Sequence, residues 1–152
     1  MSTDKAIQAL VQYSQSVGLD VHYGDESEVN FFEGYNVKRE KGYITIKKHR
    51  NKTLTLYDLL HELGHYVCRK SWKEYQVKYP SLVGKRKYTH AYYIDTLREE
   101  YDAWDNGLII AQEHKIKINK THYKEYASHA IYTYVHHFGT KKRTNSGKRA
   151  TR

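Results

Sequence analysis

The residues in this chain best suited to chemistry are His61-Glu62-Leu63-Gly64-His65. On an α-helix, positions i and i+4 stand one above the other on a single face, so both imidazoles can aim a nitrogen at one Zn²⁺. Neutral imidazole suits this borderline-soft ion, and two histidines leave room for a third protein ligand and a catalytic water. Glu62, one step round the helix, reaches that water; a carboxylate there can take its proton and pass it to a leaving amine. The chain contains 10 His, and at its composition chance supplies only roughly 0.04 such pentapeptides. Leu56, Leu60, Leu63 and Val67 recur at the spacing of a helix packed on a core, which predicts a buried helix over Thr53–Arg69 carrying the motif.

A third ligand must come from elsewhere, and Glu99 and Glu100 are the candidates. Helical phase separates them. Leu97, Glu100, Trp104, Leu108 and Ala111 fall on one stripe, whereas Glu99 shares its face with Asp95, Asp102 and Asn106. A carboxylate within an apolar stripe needs a partner or a metal, because an unpaired buried charge is very costly. Glu100 is therefore the expected ligand, and Glu99 reads as a solvated charge on the outer face. Cys68 lies on the metal face one turn beyond His65, where it reads as a buried small residue and not as a closing ligand.

From about Gly42 to Ala111 the chain resembles the ImmA/IrrE family of small gluzincin-type metallopeptidases, often carried by phages and mobile elements. The resemblance rests on the strand Gly42-Tyr43-Ile44-Thr45-Ile46, the segment from Thr53-Leu54 into His61-Glu62-Leu63-Gly64-His65-Tyr66, and a later helix with Glu100 and Ala103. It implies that His61, His65 and Glu100 bind zinc, that Glu62 is the base, and that the substrate is a protein such as a repressor. Two features depart from the pattern. Related sites often place Asp or Asn four residues after the ligand Glu, where it orients a zinc-binding His; here that residue is Trp104. The segment from Ser71 to His90 is long and rich in Tyr and Lys.

At 152 residues the expected organisation is one metallopeptidase domain, residues 1–139, followed by a disordered basic tail, residues 140–152. No run approaches the ~18 apolar residues of a membrane span, and the N-terminus lacks the pattern of a signal peptide. With a single cysteine, these features predict a cytoplasmic protein with no membrane partner. The net charge of +9 resembles a nucleic-acid signature until it is apportioned. Six of those charges are Lys141, Lys142, Arg143, Lys148, Arg149 and Arg152, so the body is nearly balanced and any non-specific nucleic-acid contact belongs to residues 141–152.

The expected fold class is α+β: a small, mostly antiparallel sheet beside a helical layer that carries the HExxH helix, a minimal zincin-like arrangement. A first helix spans Thr3 to Val17 and stops at Gly18. Strands follow at Asp20–Tyr23, Val29–Glu33 and Tyr43–Lys47, with Tyr35–Arg39 as a potential fourth. Ser71 to His90 reads as a loop or partly helical excursion, and helices over Tyr92–Glu113 and Thr121–His137 complete the domain. Among 16 tyrosines, Tyr126, Tyr132 and Tyr134 interleave with Ala130, Ile131 and Val135 as expected core. Tyr93, Tyr101, Tyr132, His136 and His137 are unranked candidates to stabilise an oxyanion. Lys73, Tyr75, Lys78, Tyr79, Lys85, Arg86, Lys87 and Tyr88 have the composition of a substrate cleft or a single-strand-binding loop, with a solvated loop as the default.

Two functions are thus in view: a zinc endopeptidase acting on a protein or peptide substrate, and a non-catalytic binding protein that keeps the fold and engages nucleic acid or a partner through the tail and the Tyr/Lys-rich loop. A DNA-associated protease resembling the SprT type combines them.

Overall fold

The computed structural model describes residues 1–30, 42–84 and 87–147, with residues 28–30 and 141–147 as backbone only. In chain order the elements are α1 (Thr3–Ser16), β1 (Leu19–Gly24), β2 (Glu28–Asn30), β3 (Gly42–Lys47), α2 (Lys52–Arg69), α3 (Trp72–Lys78), α4 (Pro80–Val83), α5 (His90–Glu113) and α6 (Lys120–Gly147). The architecture is α+β. No helix among the described residues is long and apolar enough to cross a membrane.

Local signals set the helix ends. Ser2 caps α1, accepting from the Lys5 amide, and Gly18 ends it in a left-handed conformation at φ 85°. Asn51 caps α2 through the Thr53 amide at 2.9 Å, and Thr89 caps α5 through the Tyr92 amide at 3.2 Å. The Ser71–His90 excursion contains two short helices, α3 and α4, with Pro80 at the start of the second, where a missing amide costs nothing.

The sheet corrects the expectation of mostly antiparallel pairing. Its order is β1-β3-β2, with β1 parallel to β3 from Leu19↔Gly42 to Gly24↔Lys47 and only the short β2 antiparallel to β3. Although β1 and β2 are near neighbours in sequence, β3 inserts between them. The two strands nearest in sequence are therefore not paired, and the longer ladder is the parallel one. The potential strand at Tyr35–Arg39, and the end of the one expected to reach Glu33, lie outside the described residues.

The core lies between the sheet and α2. Ile44 and Ile46 of β3, Leu10 of α1, and Leu59, Leu60 and Leu63 of α2 are all fully buried, and truncating any one of these leucines to Ala would cost about 2–5 kcal/mol. The most extensive pairing of elements joins α2 to α5. Gly64 makes it possible: a Cβ there would sit 1.9 Å from the Ala103 carbonyl oxygen. Gly107 repeats the device one turn on, where a Cβ would meet the Leu60 carbonyl oxygen at 2.9 Å. Side-chain-free contact lets the two backbones approach closely and puts Glu100 opposite the histidines.

Helix α6 packs on α5 through Tyr123, Ala127 and Ile131, all buried. Tyr132 and Val135, expected in the core, are exposed at 64% and 46%, because they lie off that stripe. The α6 backbone continues to Gly147, past the boundary at 139 that composition suggests; Lys and Arg are good helix formers. Residues 148–152 lie outside the described residues.

Candidate metal centre

His61 and His65 occupy consecutive turns of α2, and their Nε2 atoms are 3.2 Å apart. Glu100 of α5 faces both: Oε2 is 3.3 Å from His61 Nε2 and Oε1 is 3.4 Å from His65 Nε2. Ligand bonds of about 2.0–2.2 Å at a tetrahedral Zn²⁺ separate neighbouring ligand atoms by ~3.3–3.6 Å. The donor spacing therefore fits this ion. The donor types fit as well, since two imidazoles and one carboxylate leave a fourth position open. The three side chains form the only such His/Cys/Asp/Glu group among the described residues.

Electrostatics gives the cluster an appetite for positive charge. Burial alone would raise Glu100, but hydrogen bonds from His61 and His65 pull its carboxyl far below the usual range. Burial lowers His65, yet its hydrogen bonds to Glu100 and Glu99 win and lift it to about 9. His61 is held below its ordinary value, chiefly by desolvation. A proton on His65 thus occupies the place a cation would take. Glu62 is 4% exposed, and burial raises it to about 7 despite the opposing pull of His65. A carboxylate at that value is matched to exchanging protons near neutrality.

Glu99 is the clearest departure from expectation. It is 5% exposed, not solvated. Its Oε1 lies 3.2 Å from His65 Nδ1 and accepts from Arg69 Nε at 2.6 Å, while Oε2 accepts from the Tyr75 hydroxyl at 3.1 Å. Helical phase turns the two acids in different directions, but Arg69 of α2 and Tyr75 of α3 close over Glu99, which periodicity within α5 does not reveal. Trp104 stacks its indole on His61 with centroids 4.1 Å apart and planes 17° apart.

The remaining candidates disperse. Cys68 is half-buried, with Sγ 3.4 Å from Asn106 Nδ2 and 3.6 Å from the Tyr79 hydroxyl; burial pushes its thiol up to about 11, so it is a poor source of thiolate. Tyr93 stacks on Phe138 at 4.3 Å, Tyr101 is 60% exposed, and Tyr132, His136 and His137 lie on exposed positions of α6. Tyr134, expected in the core, is 37% exposed, and desolvation together with the Glu100 carboxylate raises its hydroxyl. The stripe Ala127, Ile131, Tyr134, Phe138 on α6 was the signal that could have found it.

In the Tyr/Lys-rich segment, Tyr75 and Tyr79 are 8% and 1% exposed, which removes both from any base-stacking surface. Lys73, Lys78, Lys87 and Tyr88 are exposed; Lys85 and Arg86 lie outside the described residues. No family model matches this chain, nor does any curated protein or solved structure.

Proposed function

We propose that the protein is a zinc-dependent metallo-endopeptidase of the gluzincin type, similar to the ImmA/IrrE family, with His61, His65 and Glu100 as ligands and Glu62 as general base. The observation that carries this reading is the convergence of two imidazole nitrogens and one carboxylate at 3.2–3.4 Å from one another, beside a second, buried carboxylate that holds its proton to about 7. A purely structural zinc site has no use for that fourth side chain.

Zn²⁺ bound by these residues would supply Lewis acidity, polarising the scissile carbonyl and acidifying a water. Glu62 does the proton work. Its carboxylate takes a proton from the attacking water as the new C–O bond forms, and gives that proton to the leaving nitrogen as the C–N bond breaks. The low exposure of Glu62 and the stacked Trp104 limit water around the reacting atoms, which strengthens each charge interaction there. A protein substrate, by resemblance a transcriptional regulator, is part of the proposal.

The experiment compares wild type with Glu62→Gln in bacterial and phage extracts, reading new peptide termini by mass spectrometry. Glu62→Gln should retain zinc and fold while losing about 10²–10⁴ in rate. Termini that appear with wild type alone support the peptidase. Identical profiles, with both proteins capturing the same partner or nucleic acid, would replace it with the binding protein.

A further inference from the structure

We infer that Glu99 is the positioning residue of this metal centre: its carboxylate holds His65 in the form with hydrogen on Nδ1 and Nε2 turned to the cation, while Arg69 and Tyr75 hold Glu99. The inference rests on the metal reading above and adds to it residues that none of the motifs contains.

The hydrogen-bond inventory carries the argument. An ionised carboxylate only accepts, so the 3.2 Å contact between Glu99 Oε1 and His65 Nδ1 requires the proton to be on Nδ1. In a neutral ring Nε2 is then the lone-pair nitrogen, and it is the atom that faces His61 and Glu100. Glu99 stands outside the ligand cluster. Three donors engage its two oxygens: His65 and Arg69 on Oε1, and Tyr75 on Oε2.

The origins of the donors matter. Arg69 stands four residues after His65, one turn further along the same face of α2, so the ring and its brace rise from one helix. Tyr75 comes from α3, which makes the Tyr/Lys-rich excursion part of the metal site's support. The Arg69 guanidinium also balances the second of two buried adjacent acids, while Glu100 pairs with the two histidines.

The test titrates the metal-stripped full-length chain with Zn²⁺ against a chromophoric chelator. Glu99→Ala should lower zinc affinity about 10–100-fold. Glu99→Gln, which keeps a carbonyl acceptor, should recover part of that loss, and Tyr75→Phe should cost a few-fold. Asp102→Asn is the control: it alters the acid that accepts from Tyr79 at 2.5 Å on the same helix, and should leave affinity unchanged. In the zinc-loaded wild type, NMR should show a slowly exchanging His65 Nδ1 proton that Glu99→Ala loses.

Three results would overturn the inference: Glu99→Ala binding zinc as tightly as wild type, Glu99→Gln faring no better than Ala, or Asp102→Asn weakening zinc as much. If Glu99→Ala does not fold, Glu99→Gln and Tyr75→Phe decide, since unchanged affinity in both would overturn it. A wild type that takes up no zinc defeats the metal reading and this inference with it, whereas normal uptake in every variant defeats this inference alone.

Discussion

The two flanks of the candidate metal centre hold chemically identical side chains by different means. On one flank His65 is gripped by hydrogen bonds through Glu99, Arg69 and Tyr75. On the other, His61 lies flat against Trp104, and its buried Nδ1 has no hydrogen-bond partner among the described residues. Directional polar contacts fix a tautomer as well as an orientation, whereas stacking fixes orientation alone. The polar flank should therefore govern how tightly a cation is held, and the aromatic flank how well the protein packs.

The largest effect should come from a change that breaks both flanks together. Gly64→Ala forces a methyl into the Ala103 carbonyl oxygen, a backbone atom that cannot swing aside. Overpacking of this kind costs roughly 3 kcal/mol or more, and by separating α2 from α5 it should abolish zinc uptake. Calorimetry and a zinc assay on the same sample check both consequences.

Next comes the contrast itself. Trp104→Ala should cost about 3–5 kcal/mol in stability, and Trp104→Phe much less. Zinc affinity, in the variants that fold, should move less than in Glu99→Ala. Equal losses of affinity on the two flanks would erase the distinction drawn between them.

A smaller effect follows from protonation. The folded value of His65, about 9, lies above its ordinary 6.5, so the stability it contributes is complete below pH 6.5 and disappears as pH rises through about 9. Glu62, raised from 4.5 to about 7, acts in the same direction over a lower window. The metal-free protein should melt several degrees lower at pH 9.5 than at pH 6. Zinc should flatten that slope, because it takes the place of the His65 proton.

Smallest is Tyr134→Phe, which removes a hydroxyl that the Glu100 carboxylate influences. It should weaken zinc less than tenfold and change stability by about 1 kcal/mol. A large loss of activity at unchanged zinc affinity would mark that hydroxyl as a participant in the reaction.

What the sequence disclosed was whatever depends on one helix at a time. The i, i+4 histidines and the buried stripe of α2 follow from helical phase, and the same phase turns Glu100 toward the two imidazoles. What it concealed depends on a third element covering a face. Glu99 reads as solvated because its neighbours in phase are polar, yet His65 and Arg69 of α2 and Tyr75 of α3 surround its carboxylate. Tyr134 reads as core, yet it is 37% exposed. The sheet differs for a related reason: strand pairing depends on elements far apart in sequence, and β3 enters between β1 and β2, parallel to β1.

The central claim is that His61, His65 and Glu100 form one zinc site served by a base that is not a ligand. Its most direct test is zinc stoichiometry, measured by titrating the metal-stripped full-length chain alongside Glu100→Ala and Glu62→Gln. The expected result is about one equivalent per chain for wild type and Glu62→Gln, with severe loss of affinity for Glu100→Ala. Absence of uptake by the wild type, or undiminished affinity in Glu100→Ala, would contradict it.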